Sequence, residues 1–116
     1  MMRRAEIRLV NFEPARGSES NKTRPAVIVS NDGANVMAGR LGRGVVTVVP
    51  VTSNVRRVFP FQVLLPAAEC GLAVDSKAQA EQVRSVSVER VGRRAGKLTP
   101  ALMERVEAAL RLHLGL

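Results

Sequence analysis

The chain predicts a small β barrel capped by one C-terminal helix. Short apolar segments, many of them β-branched, recur between turn signals along most of its 116 residues. The run Val45 to Val51 is too uniformly apolar for a strand with one wet face, which places it centrally in a sheet. From Thr99 onward the apolar spacing becomes helical. Strands first and one amphipathic helix last bury each other most simply as barrel and cap.

Glu6 to Phe12 reads as the first strand, with Ile7, Leu9 and Phe12 toward a core and Val10 breaking strict alternation. Glu13-Pro14-Ala15-Arg16-Gly17 turns the chain. The second strand opens at Pro25, where a proline forfeits little ladder bonding, and runs through Ala26-Val27-Ile28-Val29-Ser30-Asn31. Asp32-Gly33-Ala34-Asn35 is expected to be a turn or one helical loop, and Gly39 to Gly44 a flexible basic connector. Pro50 within the central strand predicts a bulge or bend. Phe61 to Leu65 is the next strand. Gln82 to Val88 alternates, with Val83, Val86 or Val88 inward. Thr99 then serves as a helix N-cap with Pro100 at the first helical position. Leu102, Val106, Leu110 and His113 or Leu114 form the apolar stripe, and Gly115 ends the helix.

The length suits one domain, 1–116, able to bury roughly two thirds of its unfolded surface. The single Cys70 excludes an internal disulfide and fits a reducing cytosol. Met1-Met2-Arg3-Arg4 resembles the basic start of a signal peptide, but Glu6, Arg8 and Asn11 interrupt the apolar segment that should follow. No run approaches the roughly 20 apolar residues that span a bilayer. The expectation is a soluble, cytoplasmic protein with no membrane partner, in which Asn21-Lys22-Thr23 is a chance match to a glycosylation sequon.

Lysine and arginine total 18 against 10 acidic residues, a net charge of +8, and 15 of the 18 are arginine. A GC-rich genome accounts for part of that bias. Guanidinium groups also suit bidentate contact with phosphate and stacking on bases. The balance therefore points to a polyanion or an acidic protein as partner. Against that background the stretch Gly17-Ser18-Glu19-Ser20-Asn21-Lys22-Thr23-Arg24-Pro25 stands out. A polar loop delivers Arg24 to the start of a buried strand, and the central strand ends in Thr52-Ser53-Asn54. Two strands ending in hydrogen-bonding groups can aim them at one phosphate.

Taken in order, several segments resemble the MazF/PemK family of toxin endoribonucleases. They are Gly17-Ser18-Glu19, Arg24 to Asn31, Val49-Pro50-Val51-Thr52-Ser53, Pro60 to Leu65, Asp75-Ser76-Lys77-Ala78 with Glu81 to Ser85, and the helix opening Thr99-Pro100. The likeness covers nearly the whole chain. Two departures are evident: Ala5-Glu6-Ile7-Arg8 lacks the family's usual glycine and aromatic, and Ser20-Asn21-Lys22 replaces its glutamine and glycines. The resemblance implies an SH3-like barrel of five to seven strands forming a twofold homodimer. It implies single-stranded RNA as substrate, in a groove spanning both subunits, and a cognate antitoxin whose acidic, disordered tail fills that groove. Both ligands suit a net charge of +8, since an acidic peptide can mimic a phosphate chain.

Cleaving RNA without metal requires the 2′-hydroxyl to attack the adjacent phosphorus, with charge stabilised on the phosphoryl oxygens and a proton returned to the 5′-oxygen. The only histidine, His113, lies in the helix stripe and reads as structural. The carboxylates are scattered and no Cys/His cluster exists, so no metal or other cofactor is expected. By resemblance, Arg24 and Thr52 match the family's catalytic pair and Glu19 its loop acid. An arginine is a poor base but a strong electrostatic clamp. Arg24 is expected to stabilise the transition-state phosphate, Thr52 to add a hydroxyl hydrogen bond, and Glu19 to orient Arg24 or help remove the proton. Each has a plainer reading as a turn residue, a strand-end cap and a solvated charge. Arg16, Ser18, Asn21, Lys22, Ser53, Asn54, Arg56 and Arg57, on the two flanking loops, are candidate RNA contacts, as are Gln82 and Arg84 on the later strand. Of Phe12, Phe59 and Phe61, two sit in strand contexts that suggest core, leaving stacking platforms scarce. Two other readings stay open: a non-enzymatic toxin of the same fold that binds DNA gyrase, and a passive RNA-binding or antitoxin-like module.

Overall fold

The computed structural model describes residues 2–12 and 23–116. Among them are seven strands: β1 Glu6–Asn11, β2 Thr23–Ile28, β3 Val45–Thr52, β4 Gln62–Leu65, β5 Ser76–Gln79, β6 Arg84–Ser87 and β7 Val91–Lys97. Three helices accompany them: α1 Asp32–Leu41, α2 Ala67–Cys70 and α3 Pro100–Leu114. Every strand pairing is antiparallel, in the order β4-β5-β3-β2-β1-β7, with β6 beside the first half of β3. The expected barrel-like sheet with a C-terminal helix is what forms, although its edges β4 and β7 are not joined.

The sheet separates two cores, and alternation along the central strands decides which residue enters which. Ile7, Val27, Val49 and Val51 pack with Leu102, Met103 and Val106 of α3. Their neighbours Val10, Ala26, Ile28, Val46 and Val48 pack instead with Met2, Phe12 and Ala38 of α1. This accounts for the apolar character of β3, since both faces are dry from Val48 to Val51. It also corrects the reading of β1. Val10 is fully buried in the second core, while Leu9 is only half-buried, and irregularities in the β1–β7 register fall on either side of Arg8. Pro50 does not interrupt β3. It pairs opposite Ala26, where the partner on the other side of β3 changes from β6, last paired at Val48, to β5, first paired at Val51. A residue without an N–H fits such a gap.

The segment after β2 is a ten-residue helix, which extends the turn or single helical loop expected at residues 32–35 into the expected connector. Asn31 caps α1 by accepting from the Ala34 N–H at 2.8 Å, and Gly42 ends it at φ 64°. Gly33 and Gly39, poor helix formers, obscured it. The strand β7 was also unanticipated. Its sequence Val-Gly-Arg-Arg-Ala-Gly-Lys lacks alternation, and pairing with β1 holds it. Gly96 is required there, because a Cβ would collide with the carbonyl oxygen of Cys70. The terminal helix is as read at both ends: Thr99 accepts from the Leu102 N–H, and Gly115 adopts φ 72°. Its buried stripe runs from Leu102 to Ala109, with Leu110 half-buried. His113 and Leu114 are exposed, so His113 is a surface residue of the last turn rather than a core one.

Candidate active site

The register of the central sheet builds the site. Strands β2 and β3 pair through Ile28–Val48, Val27–Val49 and Ala26–Pro50. Two residues further along the same ladder, Arg24 comes opposite Thr52. No pairing is made there: the β2–β3 register ends at Ala26–Pro50, while the opposite edge of β3 pairs with β5 through Val51–Ala78 and Thr52–Lys77. Arg24 and Thr52 line a single cavity of about 370 Å3, together with Pro25, Val51 and Ser53. The facing wall is the β4–β5 loop, contributing Leu72, Ala73, Val74 and Ser76.

Among the described residues the lining offers one cation and three hydroxyls, with no carboxylate. Arg24 is exposed, and among the described residues none pairs with its guanidinium. Thr52 Oγ1 accepts from the Asn54 N–H at 3.2 Å. A hydroxyl oxygen engaged as acceptor keeps its own hydrogen available to donate elsewhere. The β4–β5 loop is braced rather than loose: Asp75 accepts from the Ala67 N–H at 2.8 Å, and Ser76 Oγ donates to the Val74 carbonyl at 3.1 Å. Such an anion-seeking hollow, held by strand ends, can seat a phosphodiester.

The other candidates are distributed around this hollow. Ser53 lines it. Asn54, Arg56 and Arg57 follow on the exposed β3–β4 loop, where Asn54 Oδ1 accepts from the Arg56 N–H at 3.3 Å. Gln82 is exposed at the end of the 3-10 turn Ala80–Gln82, and Arg84 opens β6 opposite Val48 with its guanidinium 5.3 Å from the Phe12 ring. Neither lines the hollow. Arg16, Ser18, Glu19, Asn21 and Lys22 lie outside the described residues. Sequence reasoning missed Leu72, Ala73, Val74 and Ser76 as a wall of the site. The Asp75-Ser76 element of the resemblance was the available signal. It also placed Phe61 with the core. Only Phe12 is buried, whereas Phe61 is half-buried and stacks on an exposed Phe59. Among the described residues no three His, Cys, Asp or Glu side chains gather as a metal site.

The fold is that of a toxin family. Residues 3–114 match the model of the PemK-like, MazF-like toxins of type II toxin-antitoxin systems, and the chain belongs to that family. Endoribonuclease MazF9 of Mycobacterium tuberculosis is 60% identical to it over 116 residues, spanning 100% of this chain and 98% of the relative. A MazE-MazF crystal structure from Deinococcus radiodurans is similar with a TM-score of 0.79 and 26% identity, covering 99% of this chain and 96% of the other. An endoribonuclease in complex with its cognate antitoxin, from a mycobacterial species, gives 0.77 at 22% identity over 100% and 97% of the two chains. That last likeness concerns the fold alone.

Proposed function

We propose that this chain is the toxin of a type II toxin-antitoxin pair, an endoribonuclease that cuts single-stranded RNA in the cytoplasm without a metal ion and so arrests translation and growth. The observation that carries the reading is the convergence of Arg24 and Thr52 on one cavity. A phosphodiester seated there meets a guanidinium on its phosphoryl oxygens and the Thr52 hydroxyl beside it. The substrate's own 2′-oxygen attacks the adjacent phosphorus, and the bond to the 5′-oxygen breaks. The products are a 2′,3′-cyclic phosphate and a 5′-hydroxyl. Arg24 stabilises the charge that grows on the phosphoryl oxygens and can donate to the leaving oxygen; Thr52 adds a second donor. Glu19 is assigned to orienting Arg24 or taking the 2′ proton. Among the described residues the only charge lining the site is a guanidinium, which disfavours a divalent cation and supports the metal-free route. The acidic tail of an antitoxin suits the same cationic hollow, and a homodimer would present two such hollows to one strand or tail.

The test is direct. The protein incubated with a long single-stranded RNA in EDTA should yield fragments ending in 2′,3′-cyclic phosphate. Arg24→Ala should slow this by roughly 100- to 1,000-fold while remaining folded. Near-normal cleavage by that variant would remove the assignment. RNA binding without cleavage would leave a passive module, and gyrase binding without either would leave a non-enzymatic toxin.

A further inference from the structure

Phe59 and Phe61 lie parallel on the β3–β4 loop, with ring centroids 5.3 Å apart and 2° between planes. Phe59 is 39% exposed, and the Arg57 guanidinium carbon sits 5.3 Å from its centroid. A loop that leaves such a stack facing water would ordinarily be free to fold it away. Here the backbone is held in place. Lys77, only 8% exposed, donates from Nζ to the Arg57 carbonyl at 2.6 Å. Buried Gln62 accepts from the Phe59 N–H at 3.1 Å and donates to Glu81 at 2.8 Å. Lys77 also lies directly opposite Thr52 across the β3–β5 ladder. Residues so paired share a sheet face. The loop is therefore tethered, through the Lys77 side chain, to the strand position paired with Thr52.

We propose that the Phe59 ring, backed by Phe61 and flanked by Arg57, is a stacking subsite for one unpaired nucleobase of the RNA whose phosphate lies at Arg24 and Thr52. The inference rests on the endoribonuclease reading and adds a base-binding element to it. Single-stranded RNA is gripped by flat apolar rings under its bases and guanidinium groups beside its backbone. This loop supplies both. The two rings are already in contact, so the base stacks on the outside of the pair, where the Arg57 guanidinium now lies over the Phe59 ring and must swing aside, rather than between its members. Stacking strength rather than edge hydrogen bonds then sets the preference, which favours a purine at that position.

The test uses RNA oligonucleotides blocked by a 2′-deoxy sugar at the cleavage site, carrying 2-aminopurine at successive positions around it. Binding by the wild-type protein should quench the fluorescence at one position. Phe59→Tyr should keep that quench. Phe59→Leu should abolish it and weaken binding by about 5- to 150-fold. Tight binding with no position-specific quench, or a quench that survives Phe59→Leu, overturns the proposal and leaves the pair as a protein-contact surface. A wild-type protein that neither binds nor cuts single-stranded RNA overturns the endoribonuclease reading along with it.

Discussion

Ala5 adopts φ 76°, the left-handed conformation in which a Cβ crowds the backbone, just before Glu6 opens β1. Glycine meets no such penalty there. Ala5→Gly is therefore expected to stabilise the protein by up to about 1 kcal/mol, read as a higher urea midpoint with unchanged slope. Next to it, Glu6 is buried. Desolvation alone would raise its pKa, but the Arg3 N–H at 2.8 Å, Arg8 and Arg94 more than offset this and hold it below the usual carboxylate range. A depressed acid contributes stability above its unfolded pKa of about 4.3, and that contribution disappears as pH falls through the lower folded value. Acid titration of stability should show this loss below about pH 4.3, and Glu6→Gln should flatten it. At this scale the sequence disclosed Arg24 and Thr52, because Arg24 opens one apolar run and Thr52 closes another. Phe61 was misjudged, since an aromatic in a β-like string looks the same whether its strand begins at Phe61 or, as here, at Gln62.

Among the elements, the β3–β4 loop is the one whose conformation hangs on few bonds. Lys77→Met would leave the Arg57 carbonyl without its partner, at a cost of about 1–3 kcal/mol if it stays dry. Amide exchange across residues 54–59 should accelerate, while that of α3 stays as it was. Unchanged exchange in the loop would show that Lys77 does not hold it. The elements legible beforehand were those with local signatures: α3 carried its own cap, first-turn proline and terminal glycine, and β3 its apolar run. The helix α1 had a cap in Asn31 and a stop in Gly42, but two internal glycines masked the period between them. For β5 and β7 the cause is tertiary. Ser76-Lys77-Ala78-Gln79 and the glycine- and arginine-rich β7 have little strand character alone, and their neighbours' ladders impose it.

At the level of the whole molecule, charge dominates. A net charge of +8 implies that binding to RNA releases counterions, so affinity should fall as salt rises. For single strands the logarithmic slope is about −0.7 per phosphate neutralised, and Arg24→Ala should make it shallower by about that amount. An unchanged slope would place Arg24 away from the backbone. No helix among the described residues is long and apolar enough to cross a membrane.

The double-sided burial of β3 has a consequence for how such a protein can diverge. In a strand with one wet face, every second position is free to drift; from Val48 to Val51 no position is, because all four are buried. Heritable change is pushed outward into the segments at the strand ends, where nucleotides would be read. Lineages built on this frame would then diversify in what they cut long before they altered how they fold.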